Sequence, residues 1–93
     1  MALLKALTQD KVSGTGTLTV ESMIFGGVLI TTDNSTLGTV EIRRDNSQGK
    51  VLQGITTATS MWINGPFSME GTDQLYYSVT GSGCEVFLYE WLN

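Results

Sequence analysis

The chain contains no histidine, one cysteine and one proline. Without histidine it lacks the side chain that most often serves as a general base near neutral pH, and the commonest nitrogen ligand of zinc. A single cysteine forbids an internal disulfide framework, and a single proline forbids a proline-rich linker. Cations are also scarce, since Lys5, Lys11, Arg43, Arg44 and Lys50 stand against nine acidic residues for a formal charge of -4. That balance cannot build the dense positive surface that neutralises phosphates, so nucleic acid is not an expected partner. Nor is a membrane: no apolar run approaches the ~18 residues of a spanning helix, and the longest, Met23 to Ile30, is interrupted by Gly26-Gly27. The first residues hold no apolar region followed by a small-residue cleavage site, so synthesis in a cytoplasm without secretion is expected. Asn34-Ser35-Thr36 then reads as a polar turn rather than a glycosylated sequon.

What is present points to β structure. Runs rich in Val, Ile, Thr, Tyr and Phe alternate with clusters of Gly, Asn, Asp and Ser at the spacing of an all-β sandwich or barrel. Strands are expected near Thr15–Glu21, Met23–Thr31, Leu37–Arg44, Lys50–Thr56, Thr59–Ile63, Phe67–Glu70, Gln74–Thr80 and Cys84–Trp91. About eight short strands is the number of a jelly roll, so the expected fold is a two-sheet antiparallel β-sandwich of jelly-roll type. With 93 residues this is one domain, read as residues 1–16, an N-terminal arm or first strand, followed by residues 17–93, the sandwich. A chain this short buries roughly 60–65% of its unfolded surface, so association with a partner adds useful stability.

Turn chemistry and alternation refine the picture. Between Arg44 and Lys50 a hairpin with a bulge is expected, with Gly49 as its left-handed residue. Pro66 cannot donate to a central ladder, so Asn64-Gly65-Pro66 is read as a sheet corner or the start of an edge strand. Period-two alternation assigns to the core Leu18, Val20, Val28, Ile30, Val40, Ile42, Val51, Ile55, Leu75, Tyr77, Val79, Val86 and Leu88. The last strand breaks the rule of one wet face. Val86, Leu88, Glu90 and Leu92 share one side, yet Phe87, Tyr89 and Trp91 crowd the other. Aromatic groups are enriched at subunit interfaces, so these three are the expected oligomer contact, the alternative being cover by an N-terminal arm or loop.

Catalytic and ligand-binding readings find little to stand on. Gly14-Thr15-Gly16 and Gly81-Ser82-Gly83 lack the strand-turn-helix setting of a phosphate loop. Cys84 has no histidine to activate it and no second cysteine to resolve it, so it reads as a buried inert thiol. Asp33, Asp45, Glu70 and Asp73 sit in or beside turns, where capping explains them better than calcium does. No enzyme, cofactor or metal is expected. Trp62, Tyr76, Tyr77, Tyr89 and Trp91 offer faces for sugar stacking, and Met61-Trp62-Ile63-Asn64-Gly65 is the stretch that combines an aromatic expected to be exposed with a sugar-bonding side chain such as Asn at close spacing. A carbohydrate- or receptor-binding module is therefore the alternative function.

Five stretches taken together, Gly27 to Asp33, Gly38 to Asp45, Gly49 to Leu52, Tyr76 to Gly83 and Tyr89-Glu90-Trp91, carry a family likeness. They resemble small all-β virion proteins of tailed bacteriophages, most of all capsid decoration, or cement, proteins. That resemblance implies a homo-oligomer, often a trimer, bound to the outside of the head through the major capsid protein or another virion protein, and it implies localisation to the virion. Leu3, Leu4 and Leu7 lie in an apolar N-terminal segment followed by the hinge-like Ser13-Gly14-Thr15-Gly16. They are read as a capsid-contact arm that orders on binding, with a strand that closes the sandwich as the other reading.

Overall fold

A computed structural model of the protein describes residues 3–92. It contains eight strands: β1 (Leu3–Ala6), β2 (Gly14–Thr19), β3 (Ile24–Thr31), β4 (Gly38–Arg44), β5 (Val51–Thr57), β6 (Met61–Ser68), β7 (Gln74–Thr80) and β8 (Glu85–Leu92). They form two four-stranded sheets, A in the order β1-β8-β3-β6 and B in the order β2-β7-β4-β5. Every pairing is antiparallel. Only β4 and β5 are sequence neighbours within one sheet; every other connection passes from sheet to sheet. This is the double Greek key of a jelly roll, as the strand count anticipated.

The inward positions of both sheets meet in one core. Val28, Ile30, Val86 and Leu88 of sheet A face Val40, Ile42, Leu75 and Val79 of sheet B, and all are buried. Leu18, Ile55 and Tyr77 pack against them from less buried positions. Phe25 also belongs to this core and stacks on Phe67 at 6.3 Å between ring centres. Glu90 is buried at the end of the row, where its carboxylate accepts a hydrogen bond from the Ser22 N–H at 2.8 Å. The last strand is thereby tied to the turn between β2 and β3.

Several local expectations need correcting. Val51 is 41% exposed, because the ladder between β4 and β5 shifts register after Ile42 and turns the start of β5 out of the core. The hairpin at residues 45–50 exists, but its left-handed residue is Asp45, at φ 68°, not Gly49. Gly49 is required for a different reason: a Cβ there would collide with the Arg44 carbonyl. The segments expected as two strands on either side of Pro66 are one strand, β6. Its edge position explains why, since an edge strand does not need the N–H that proline lacks. Finally, β1 is paired along its length with the end of β8, Leu3 opposite Leu92 and Ala6 opposite Tyr89. β2 begins at Gly14, so the expected division at residue 16 falls inside a strand.

Glycine shapes sheet A most strongly at Gly26 and Gly27. The register of β3 against both β6 and β8 shifts between Phe25 and Gly27, a bulge that turns Phe25 inward and sets Gly27 on the outer face. At Gly26 a Cβ would lie 2.6 Å from Leu4 Cδ2, and at Gly27 it would lie 2.8 Å from the Trp62 ring. The two glycines therefore leave a shallow depression that Leu4 enters from one side and Trp62 from the other.

Candidate interaction face

Alternation along β8 produces the candidate site. Val86, Leu88 and Glu90 are buried inward, while Glu85, Phe87, Tyr89 and Trp91 point outward and remain half-exposed. The register then shows which neighbours share that outer face. Phe87 lies opposite Leu29 of β3, and Leu29 lies opposite Trp62 of β6. In the next row Tyr89 lies between Ala6 of β1 and Gly27 of β3, and beyond it Trp91 lies opposite Leu4. Because Gly27 has no side chain, the Trp62 indole reaches over it and meets the Tyr89 ring edge-on, 5.4 Å between centres at 76°. Trp62 is 39% and Leu4 43% exposed.

Phe87, Tyr89 and Trp91 are thus neighbours on one outward face, flanked within the same sheet by Trp62, Leu29 and Leu4. Of the three leucines read as an arm, only Leu4 joins them. Leu3 is exposed on the other side of β1, and Leu7 packs against the core, its N–H donating to the Leu88 carbonyl at 2.7 Å. Alternation along β8 groups Phe87, Tyr89 and Trp91, whereas Leu29 and Trp62 join them only through strand pairing. Period two in β6 places Trp62 and Asn64 on one side, yet the strand order that brings β6 beside β3 has no local signal.

The outward face of sheet B is its chemical opposite. Thr15, Thr17 and Thr19 of β2 stand beside Tyr76 and Ser78 of β7, and Thr39 of β4 shares a 3.0 Å hydrogen bond between hydroxyls with Thr56 of β5. Glu41 pairs with Arg43 on the same face at 2.6 Å. Hydroxyl groups and this ion pair keep the outer side of sheet B polar, whereas the gathered aromatic surface is that of sheet A.

The other polar groups serve the fold. Asp33 accepts the N–H groups of Thr36 and Ser35, each at 2.9 Å, and these bonds hold its carboxyl below the ordinary value of 3.8. It is a turn cap. Arg44 pairs with Glu70 at 2.9 Å and donates through Nε to the Ser68 carbonyl at 2.9 Å, joining the end of β4 in sheet B to the end of β6 in sheet A and the turn after it. The Cys84 thiol is buried beneath Gly38, and burial first, with the Glu85 charge second, pushes its pKa up and away from the thiolate. Among the described residues there is no pocket and no group of three or more metal-ligating side chains.

Comparison with protein-family models and with curated proteins finds no match for the chain.

Proposed function

We propose that this chain is a non-enzymatic structural protein of a bacteriophage virion. In this reading it is a capsid decoration protein that binds the outer head surface and stabilises the shell, with several copies associating through the outward face of sheet A. The observation that carries the reading is that face: four aromatic rings, of Trp62, Phe87, Tyr89 and Trp91, half-covered only by neighbours in their own sheet, while the opposite face of the domain is hydroxyl-rich. Aromatic side chains gathered on one exposed patch are what a subunit interface uses, and a trimer around one axis is the favoured arrangement. The jelly roll is a common fold of capsid components, and the strand vocabulary resembles that of phage virion proteins. Many modest contacts repeated around a shell add to a large resistance, because a ligand of the assembled state stabilises that state by mass action.

Two measurements test this reading together. Light scattering of the purified chain is expected to show an oligomer that the charge-introducing pair Phe87→Asp and Trp62→Asp dissociates, weakening association by about 100-fold or more, the effect of removing two buried aromatic anchors. Heads lacking the protein are expected to keep their shape and break at lower temperature or lower applied force than heads that carry it. Unchanged particle stability with lost adsorption to host cells would overturn the cement reading. The result would favour the receptor-binding alternative, in which Trp62 and Asn64, exposed side by side on β6, meet a glycan.

A further inference from the structure

Three of the four sheet edges carry features that discourage pairing with another strand. β1 is four residues long and contains Lys5, β6 contains Pro66, and β5 is bent by its register shift against β4. β2 has none of these. Its sequence, Gly14-Thr15-Gly16-Thr17-Leu18-Thr19, holds no charge and no proline, and its register with β7 runs unbroken from Gly14 opposite Val79 to Thr19 opposite Gln74. One step beyond Thr19, the Val20 N–H donates to the Asp73 carbonyl at 2.6 Å. In an antiparallel ladder the direction of the backbone groups alternates, so Leu18 and Gly16 also bond inward to β7. The N–H and C=O groups of Thr15, Thr17 and Thr19 consequently point out of the sheet edge. All three residues are exposed, and no side chain or loop among the described residues bonds to these groups.

We infer that β2 pairs antiparallel with β2 of a second copy of this chain, joining two B sheets into one continuous sheet across a twofold axis. The strand complements itself. Its outward-bonding positions are all threonine, so the pairing sets threonine near threonine, a cross-strand combination that favours sheets, and opposes no like charges. Before the strand the chain leaves sheet B, since Val12 exchanges both backbone hydrogen bonds with Val86 of β8, so the charged Lys11 stands off the line of β2 and does not obstruct its edge. This surface is distinct from the outward face of sheet A and does not depend on the function proposed for it.

Residue-resolved amide exchange on the full chain tests the inference at micromolar and at millimolar protein. The Thr15, Thr17 and Thr19 amides are expected to slow by about tenfold or more on concentration, while Gly16 and Leu18 stay protected throughout. Thr17→Pro removes an outward donor that the isolated fold does not use, so it should abolish the concentration dependence and preserve the β circular dichroism. Phe87→Asp, on sheet A, should leave this exchange pattern unchanged. Equal exchange at both concentrations overturns the inference, as does concentration-dependent protection that survives Thr17→Pro.

Discussion

Replacing Gly27 with alanine is expected to destabilise the domain by about 2–5 kcal/mol, combining a strained backbone with an overfilled site. Gly27 sits at φ 143°, which side chains rarely adopt, and its Cβ would lie 2.6 Å from the Ile63 carbonyl oxygen as well as against the Trp62 ring. Neither neighbour yields cheaply. The carbonyl belongs to the β3–β6 pairing, and moving Trp62 breaks its edge contact with Tyr89. Gly71→Ala is the matched control, since Gly71 also has positive φ, at 89°, but nothing stands within 4 Å of its Cβ. It should cost only about 1–2 kcal/mol from the backbone. Denaturant midpoints measure both losses, and near-ultraviolet circular dichroism reports the Trp62–Tyr89 pair. Equal losses at the two glycines would show that the close approach over β3 contributes nothing.

Deleting residues 1–7 is expected to lower stability by on the order of 3–5 kcal/mol, a large part of the ~5–15 kcal/mol that holds a typical domain. The deletion removes the four-residue β1 ladder, the Leu7 contact with the core, the bond from Leu7 to Leu88, and the Leu4 side chain over Gly26. It also makes β8 an edge strand, with its aromatic face beside unpaired backbone groups, a combination that promotes aggregation. Thermal melting followed by circular dichroism decides the matter. A truncated chain that melts at the original temperature would mean that β1 is dispensable to the fold, and the segment would return to the role of an arm that docks on a partner.

Those two regions also show where the sequence was legible. In β4 and β8 the period-two pattern is clean, and it alone identifies Val40, Ile42, Val86 and Leu88 as buried without knowledge of any neighbour. β3 is different. Gly26-Gly27 resets the phase, and only the positions of β6 and β8 on either side reveal that Phe25 is a core residue. Cys84 is buried, as its lack of any activating or resolving partner suggests, while Met69, just past the end of β6, is a core residue that the alternating pattern does not assign. The expected count of eight strands was reached with two offsetting differences. Pro66 divides β6 into two expected strands, and β1, four residues with a lysine among them, carries no periodic signal that tells a strand from an arm. The aromatic face was half visible: adjacency along one strand groups Phe87, Tyr89 and Trp91, while Trp62 joins them only through the order of strands in the sheet. Glu90 marks the same boundary. A carboxylate in line with Val86 and Leu88 looks misplaced until the Ser22 N–H, distant in sequence, is brought to it.

The pairing of Leu3 with Leu92 sets how the domain responds to force. A pull applied through these two residues enters the β1–β8 ladder at one end, so its hydrogen bonds open one after another, as a zipper does, and none shares the load with the next. Tension along the chain is therefore the direction in which this molecule yields most easily. Compression between its two sheets meets a filled core instead. If the domain serves in a shell as proposed, load is better carried through its flat faces than through the β1–β8 ladder.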